Sequence, residues 1–420
     1  MSSTFRYLPG RCRRLSMKIV LVGCTLPTFF ALTGCAGVGD TSNPVNPVTA
    51  PGNITVSKTQ PYLLKDGAVW TSHGFVIVAF EAAPTSTKLR PYSIAAQANY
   101  NSQGVAYFST IKTWGADTVR MMVCQPALDP MSSLYSQAYV TNLVAAVQGA
   151  RKAGLTVIVN LQDQAGDSGS LTQNQPFVPN DASTRAWMQL TPFFNTDQGI
   201  VYEIFNEPYT SDMNLWQSSM NNLISVIRQT GSTNAIVADG NMNNLYTVTD
   251  PAASPAIVAP PDLTDSGHTL AYAMHPYLNV LDDQLSSTWD SRFGNFALTH
   301  AVIITEWFPG NNTYFCDNTP AVDSQGITVP STAQATVNLY AYLQGRHIGF
   351  DAFAFDFPSI SSSPVKISGT IASDFNGATL TTFQQIPGSS GSTQCGQQYF
   401  GPGQTIKDWY TTGVVPASPI

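Results

Sequence analysis

The chain contains only four glutamates, Glu81, Glu203, Glu207 and Glu306, against 22 aspartates, and three of the four fall at the end of an apolar run. In Val201-Tyr202-Glu203-Ile204-Phe205-Asn206-Glu207-Pro208 an Asn-Glu pair closes a β-rich stretch, and the proline stops further backbone pairing. In Ala301-Val302-Ile303-Ile304-Thr305-Glu306-Trp307 a second glutamate closes another such stretch. Two carboxyl groups at the mouth of one site can divide labour: one stays ionised and attacks, while the other keeps a proton for a leaving group. That division needs environments that push the two pKa values apart, and the negative charge of the first itself raises the second. Glu203 lies four residues before Glu207, about 13 Å back along an extended strand, and so belongs deeper than the rim.

The elements that must bring these acids together are legible as a pattern. Short apolar or β-branched runs alternate with helix-like segments, the arrangement of parallel strands joined by crossover helices. Eight strands are predicted: Gly74–Glu81, Asp117–Cys124, Leu155–Gln162, Ile200–Phe205, Ala235–Asp239, Leu270–His275, Ala301–Glu306 and Phe350–Phe355. Apolar stripes at helical spacing place helices at Tyr139–Lys152, Leu215–Thr230 and Ala333–Gln344. Eight such units imply an α/β fold, a (β/α)8 TIM barrel, in which chemistry sits at the carboxyl ends of the strands. Counted this way, Glu207 ends strand four and Glu306 ends strand seven. Ser57–Trp70, turning at Asp66-Gly67, is expected to form an N-terminal hairpin that plugs the barrel floor. Pro251, Pro255, Pro260 and Pro261 leave the fifth unit little periodicity, and residues 358–403 form a long Ser/Thr/Gly loop after strand eight, before a short helix near Ile406–Tyr410. Long loops over an active face often carry function.

Motif and strand number together resemble the family 5 glycoside hydrolases, the cellulase and mannanase family, over roughly residues 60–357. The resemblance implies a retaining hydrolase that cleaves a β-linked polysaccharide such as cellulose, mannan or a related β-glycan by double displacement, with Glu207 as acid/base and Glu306 as nucleophile. It further implies that Arg120 pairs with the nucleophile and holds it ionised, and that Asn206 hydrogen-bonds the sugar 2-hydroxyl. In Met274-His275-Pro276-Tyr277, His275 is implied beside the acid/base and Tyr277 as a donor toward the nucleophile; Trp307 is expected to stack on a sugar ring. Two positions depart from the family. Gln162 stands at the end of strand three where a histidine is common, and Ala352-Phe353-Ala354-Phe355-Asp356-Phe357 stands where many members carry a tryptophan. Both shape the −1 subsite, so the particular glycan stays open. Trp187, Trp216, Trp289 and Tyr314 are candidates either for further subsites or for packing. Two other functions stay open: a non-catalytic surface glycan-binding lipoprotein, and a transglycosylase in which an acceptor sugar replaces water.

Arg6, Arg11, Arg13, Arg14 and Lys18 precede an apolar run from Ile19 to Leu32 that is short for a bilayer span, the pattern of a targeting segment. It ends in Leu32-Thr33-Gly34-Cys35, which resembles the lipobox of bacterial lipoproteins and implies a signal peptide over residues 1–35 and an acylated Cys35 in the cell envelope. An ordinary cleaved signal would instead leave the protein secreted. Residues 36–56, rich in Pro, Gly, Asn, Ser and Thr, read as a flexible linker, and 57–420 as one catalytic barrel domain. With 11% charged residues, a net charge of −7 and no basic stripe, nucleic acid is excluded as a partner. The expected partners are a poly- or oligosaccharide and, through the lipid anchor alone, a membrane; a monomer is expected. The histidines are scattered, no Cys-x-x-Cys occurs and no glycine-rich phosphate cradle follows a strand, so neither metal nor cofactor is expected. Cys12 and Cys24 fall in the leader, and Cys124 reads as a small buried thiol. Cys316 and Cys395, in polar loops of an exported protein, are the economical disulfide pair.

Overall fold

Thr118–Cys124 is buried along its whole length, and so is Thr156–Gln162. Strands covered on both faces belong between a barrel interior and an outer layer of helices, which is where the computed structural model has them. It describes residues 52–81, 108–162, 177–241, 261–277, 281–307, 320–322, 326–355, 386–387, 398–399 and 402–416, all within the unit Pro47–Ile420. A three-stranded antiparallel sheet comes first (β1, Ile54–Val56; β2, Leu63–Lys65; β3, Ala68–Val69). Then follow β4 (His73–Ile77), β5 (Thr118–Cys124), β6 (Thr156–Gln162), β7 (Ile200–Glu203), β8 (Ile236–Asp239), β9 (Leu270–Met274) and β10 (Val302–Ile304). A short antiparallel pair, β11 (Ala321–Val322) and β12 (Thr328–Val329), precedes β13 (Gly349–Ala352). Strands β4 to β10 and β13 form a closed parallel barrel in chain order, β13 pairing with both β10 and β4. The predicted eight-stranded α/β barrel is therefore the fold.

Among the described residues the α-helices are α1 (108–113), α2 (Gln125–Leu128), α3 (Gln137–Lys152), α4 (Asp181–Phe194), α5 (Met213–Gln229), α6 (Ser286–Trp289), α7 (Thr332–Gly345) and α8 (Pro402–Thr412). Starts of α3, α5 and α7 lie one or two residues ahead of the apolar stripes, because Ser136, Asp212 and Ser331 accept backbone N–H groups of the first turn. Helix α4 has no counterpart among the predicted helices; its signal is the capping box of Asn180 and Ser183, with Pro192 interrupting its interior.

Several strands stop before their apolar runs do. β4 ends at Ile77 rather than Glu81, β7 at Glu203 rather than Phe205, β10 at Ile304 rather than Glu306, and β13 at Ala352 rather than Phe355. The residues beyond, such as Val78, Phe80, Phe205 and Phe355, stay buried. Apolar sequence reports burial, and at the barrel mouth burial outlasts the ladder.

The hairpin closes the floor as its sequence implies. Asp66 and Gly67, at φ +53° and +83°, make the two-residue turn between β2 and β3. Ile54, Leu63 and Trp70 pack in one cluster with Ile158, Val201, Val237, Ala273 and Ile303 of the barrel strands. The Trp70 ring N–H donates to Asp117 Oδ2 at 2.7 Å.

Above this plug the interior turns polar, with Arg120, Asn160, Glu203, Asp239, Thr305 and Asp351 all buried. A Cβ on Gly74 would lie 1.6 Å from Asp351 Oδ1, so only glycine leaves room for that acid. Among the described residues neither Asp351 oxygen has a hydrogen-bond partner, and burial pushes its carboxyl well above the usual range. The folded state thus holds a proton that the unfolded chain releases. The resulting cost is absent below the ordinary aspartate range and grows as pH rises through it. Asp351→Asn is expected to raise Tm by a few degrees near neutral pH and to lose that gain near pH ~4, which calorimetry at the two pH values checks.

Cys124 is buried, as its apolar run implied. Cys35, Tyr314, the Cys316/Cys395 pair and most of 358–403 lie outside the described residues; within that stretch β14 (Ile386–Pro387) and β15 (Gln398–Tyr399), paired antiparallel, and the first two residues of α8 are described. No helix among the described residues is long and apolar enough to cross a membrane.

Candidate active site

Arg120, in the middle of β5, faces the barrel interior and is fully buried, so its charge must be met by fixed partners. Its Nε donates to Glu203 Oε2 at 2.5 Å and its Nη2 to Glu203 Oε1 at 2.9 Å, a side-on pair across to β7. Nη1 donates to Glu306 Oε1 at 2.6 Å, and Nη2 also to Asn206 Oδ1 at 2.8 Å. One guanidinium therefore ties β5 and β7 to the residue just beyond β10. Glu203 lies below the rim, as its spacing implied. Its role as the counter-ion that seats Arg120 was not readable from sequence, where the two are 83 positions apart.

His275 follows β9 and touches both acids' surroundings. Its Nδ1 lies 2.7 Å from Glu207 Oε1 and its Nε2 3.0 Å from Thr305 Oγ1, while the Thr305 hydroxyl donates to Glu203 Oε1 at 2.8 Å. A hydroxyl has one hydrogen to give. Since Thr305 gives it to a carboxylate, it accepts from His275, which makes Nε2 the protonated nitrogen. The contact between Nδ1 and Glu207 then shares a single proton, held where a leaving group could collect it. Tyr277 donates its hydroxyl to Glu306 Oε2 at 2.5 Å. An oxygen of Glu207, an oxygen of Glu306 and a ring nitrogen of His275 all lie within 4.8 Å of one another.

Electrostatics separate the acids. Burial pushes the Glu306 carboxyl up, but Arg120, then His275 and the Tyr277 hydrogen bond, outweigh it and hold Glu306 below the usual glutamate range. Glu203 is lowered further by the same kind of opposition, burial against Arg120 and His275. Burial lowers the affinity of His275 for its second proton, yet Glu306, the nearby Glu203 and the hydrogen bond to Glu207 reverse this and raise it well above the ordinary imidazole value. Asp239 is raised well above the usual range by burial and then by Glu203, and its neutral carboxyl accepts the Glu207 backbone N–H at 2.9 Å.

Arg120→Met would leave Glu203 and Glu306 as buried anions stripped of their main cation, with only His275 beside them. It is expected to cost about 3–5 kcal/mol of stability, measured by denaturant unfolding. Any residual activity should have its acid limb moved upward, because removing the cation lets the nucleophilic carboxyl protonate at higher pH.

The other named residues divide. Asn206 is nearly buried, with its Oδ1 taken by Arg120, which turns its amide hydrogens the other way. Gln162 is buried at the end of β6 and donates to Asn160 Oδ1, its own Oε1 finding no partner among the described residues. Trp307 is a correction: it is fully buried and packs against Tyr340 and Phe350, so its ring belongs to the layer between barrel and α7 rather than to a sugar platform. Alternation carried it outward once Glu306 turned in. Trp187, Trp216 and Trp289 are likewise core, with Trp187 donating to Ile204 O at 2.8 Å. At the end of β13, Ala354 and Phe355 are buried, and residues 356–357 lie outside the described residues. Sequence reasoning missed Thr305 and Asp239. Each is a polar residue at the close of an apolar strand, which is the signal that could have found them.

Two sets of donors are near enough to share a cation, Glu203 with Asp239 and His275, and Glu207 with His275 and Glu306. In the first set Glu203 already accepts from Arg120 and Thr305, and in the second Glu306 already accepts from Arg120 and Tyr277.

Comparison with known proteins bears on the family and the fold. Residues 80–345 match the family described as cellulase, glycosyl hydrolase family 5. The manganese dependent endoglucanase Eg5A of Phanerodontia chrysosporium is 24% identical over 197 residues, 45% of this chain and 50% of that protein. Endoglucanase EG-II of Hypocrea jecorina is 23% identical over 238 residues, 54% of each chain. The chain thus spans about half the length of these curated relatives. Among solved structures, the catalytic domain of a Thermobifida fusca endoglucanase Cel5A variant in complex with cellotetraose superposes with a TM-score of 0.55 at 16% identity, covering 86% of this chain and 97% of that one. A thermostable, halotolerant cellulase of the same family from an Icelandic hot spring isolate gives 0.51 at 15% identity, covering 89% and 98%. At these identities the structural likeness is one of fold.

Proposed function

Because this chain belongs to glycosyl hydrolase family 5, the cellulase family, we propose that it hydrolyses a β-linked polysaccharide with retention, Glu306 attacking the anomeric carbon and Glu207 serving as acid and then base. The observation that carries this reading is the approach of the two carboxyl groups to within 4.8 Å at the mouth of one barrel. Retaining pairs stand roughly 5–5.5 Å apart, whereas inverting pairs leave ~6.5–9.5 Å for a water. Arg120, His275 and Tyr277 keep Glu306 ionised for attack. The proton shared by Glu207 and His275 goes to the departing glycosidic oxygen, leaving a glycosyl ester on Glu306. Glu207, now a carboxylate, takes a proton from the incoming water, which cleaves that ester and restores both groups. Asn206, its oxygen occupied by Arg120, presents amide hydrogens suited to the sugar 2-hydroxyl, a bond that strengthens in the transition state.

The relatives are named as endoglucanases, which favours a β-1,4-glucan cut internally. A reducing-sugar assay of the barrel domain against cellulose, β-mannan, xylan, xyloglucan and mixed-linkage glucan tests the reading. Release from none of them would sink it, and release from mannan alone would move the substrate within the same mechanism. Product analysis in the same assay separates hydrolysis from transfer to an acceptor sugar. We also propose that the chain acts outside the cytoplasm as a monomer, exported and held to the envelope through an acylated Cys35. Palmitate labelling that survives Cys35→Ala would rule out that anchor.

A further inference from the structure

We propose that Asp239 is a positioning residue that sets the aim of Glu207 by gripping its backbone amide. This rests on the reading of Glu207 as acid/base. Glu207 sits at φ +46°, in the left-handed region that costs a residue with a Cβ roughly 1–2 kcal/mol. It also directly precedes Pro208, whose ring narrows the conformations of the residue before it. Nothing in the local sequence favours that backbone, so the surroundings impose it.

Strand β8 supplies the constraint. Its last residue, Asp239, is fully buried, and Oδ2 accepts the Glu207 N–H at 2.9 Å. Two residues on, Asn241 holds the far end of the same turn, its Oδ1 accepting the Thr210 N–H at 3.0 Å and its Nδ2 donating to Thr210 O at 2.7 Å. Between them Tyr209 exchanges backbone hydrogen bonds with Phe177 at 2.6 and 2.7 Å. The turn 207–210 is thus clamped along its length, with Asp239 at the residue that carries the chemistry.

The direction of a Cα–Cβ bond follows from the backbone at that residue. Released from Asp239, residue 207 would relax toward extended backbone, and its carboxyl would swing off His275 Nδ1 and away from Glu306. The groups facing Asp239 are Glu203, Arg120 and His275, whose Nε2 is 3.8 Å from Oδ2. Among them Asp239 is the neutral partner, so it grips the amide through a carbonyl-like oxygen that asparagine reproduces and alanine lacks.

The test compares kcat/KM on two aryl β-cellobiosides, or mannobiosides if mannan is the substrate selected. A dinitrophenyl leaving group departs without a proton, while a phenyl leaving group needs one. Asp239→Ala is expected to lose roughly 10²-fold on the phenyl glycoside, the size of a displacement of about 1 Å, and to stay within a few-fold of parent on the dinitrophenyl glycoside. Asp239→Asn is expected to restore most of the loss. Equal losses on both leaving groups, or no restoration by asparagine, would overturn the proposal. Glu207→Ala run alongside separates the two readings: if it too loses both substrates equally, the acid/base assignment itself fails. Should Asp239→Ala not fold, Asn241→Ala, which frees only the far end of the turn, is expected to show the same leaving-group pattern at roughly tenfold, and equal losses there would count against the clamp.

Discussion

Glu306→Gln is expected to lower polysaccharide hydrolysis by about four to six orders of magnitude, the scale on which removing one member of a catalytic unit acts, while the protein stays folded. The amide keeps the shape of the carboxylate and can still accept from Arg120 Nη1, but it cannot carry the negative charge that attacks the anomeric carbon. The change also removes one of the two anions that face Arg120, and Glu203 remains to pair the guanidinium at 2.5 and 2.9 Å. For that reason folding should survive here where Arg120→Met threatens it. Reducing-end release and circular dichroism on the same sample check both halves. A variant with the parent rate would remove Glu306 from the mechanism.

Glu207→Ala is the second large effect, and its signature is selective. General acid catalysis contributes roughly 10²–10⁴-fold, so kcat/KM on a glycoside with a poor leaving group should fall by that much. On an activated aryl glycoside, whose departure needs no proton, the first step should proceed near the parent rate. The second step should then limit turnover, because the base that activates water is gone, and the glycosyl ester on Glu306 should accumulate. A small anion such as azide, which needs no deprotonation, is expected to fill the space left by the side chain and to restore turnover, giving a glycosyl azide of retained configuration. Mass spectrometry of the accumulated ester and identification of the azide product are the measurements. An azide adduct of inverted configuration would contradict double displacement.

Several features of this site were legible in the residues. Glu207 and Glu306 each close an apolar run, and counting runs put them at the carboxyl ends of the fourth and seventh barrel strands; in the structure they lie just beyond β7 and β10. The floor hairpin was equally plain, because Asp66-Gly67 is one of the few pairs that readily adopts positive φ at both positions. Trp307 was misread, since an aromatic beside a strand-end acid looks the same whether it points into a cleft or onto Tyr340 and Phe350. Strand ends were overextended for a related reason: Val78 and Phe80 are as apolar as Phe75 and Val76, yet only the latter pair in the ladder.

Which residues lie on barrel strands, in what order, and which acids stand at their carboxyl ends followed from the chain alone, because burial on both faces writes itself as a run of apolar side chains. Which acid is charged did not. Glu203 and Glu306 are anions, and Asp239 and Asp351 neutral, because closing the barrel brings Arg120 from β5 against the first two and leaves the others desolvated. Protonation is a property of neighbours within a few ångströms, and those neighbours come from strands scores of residues apart in the chain, so only the folded barrel could decide it.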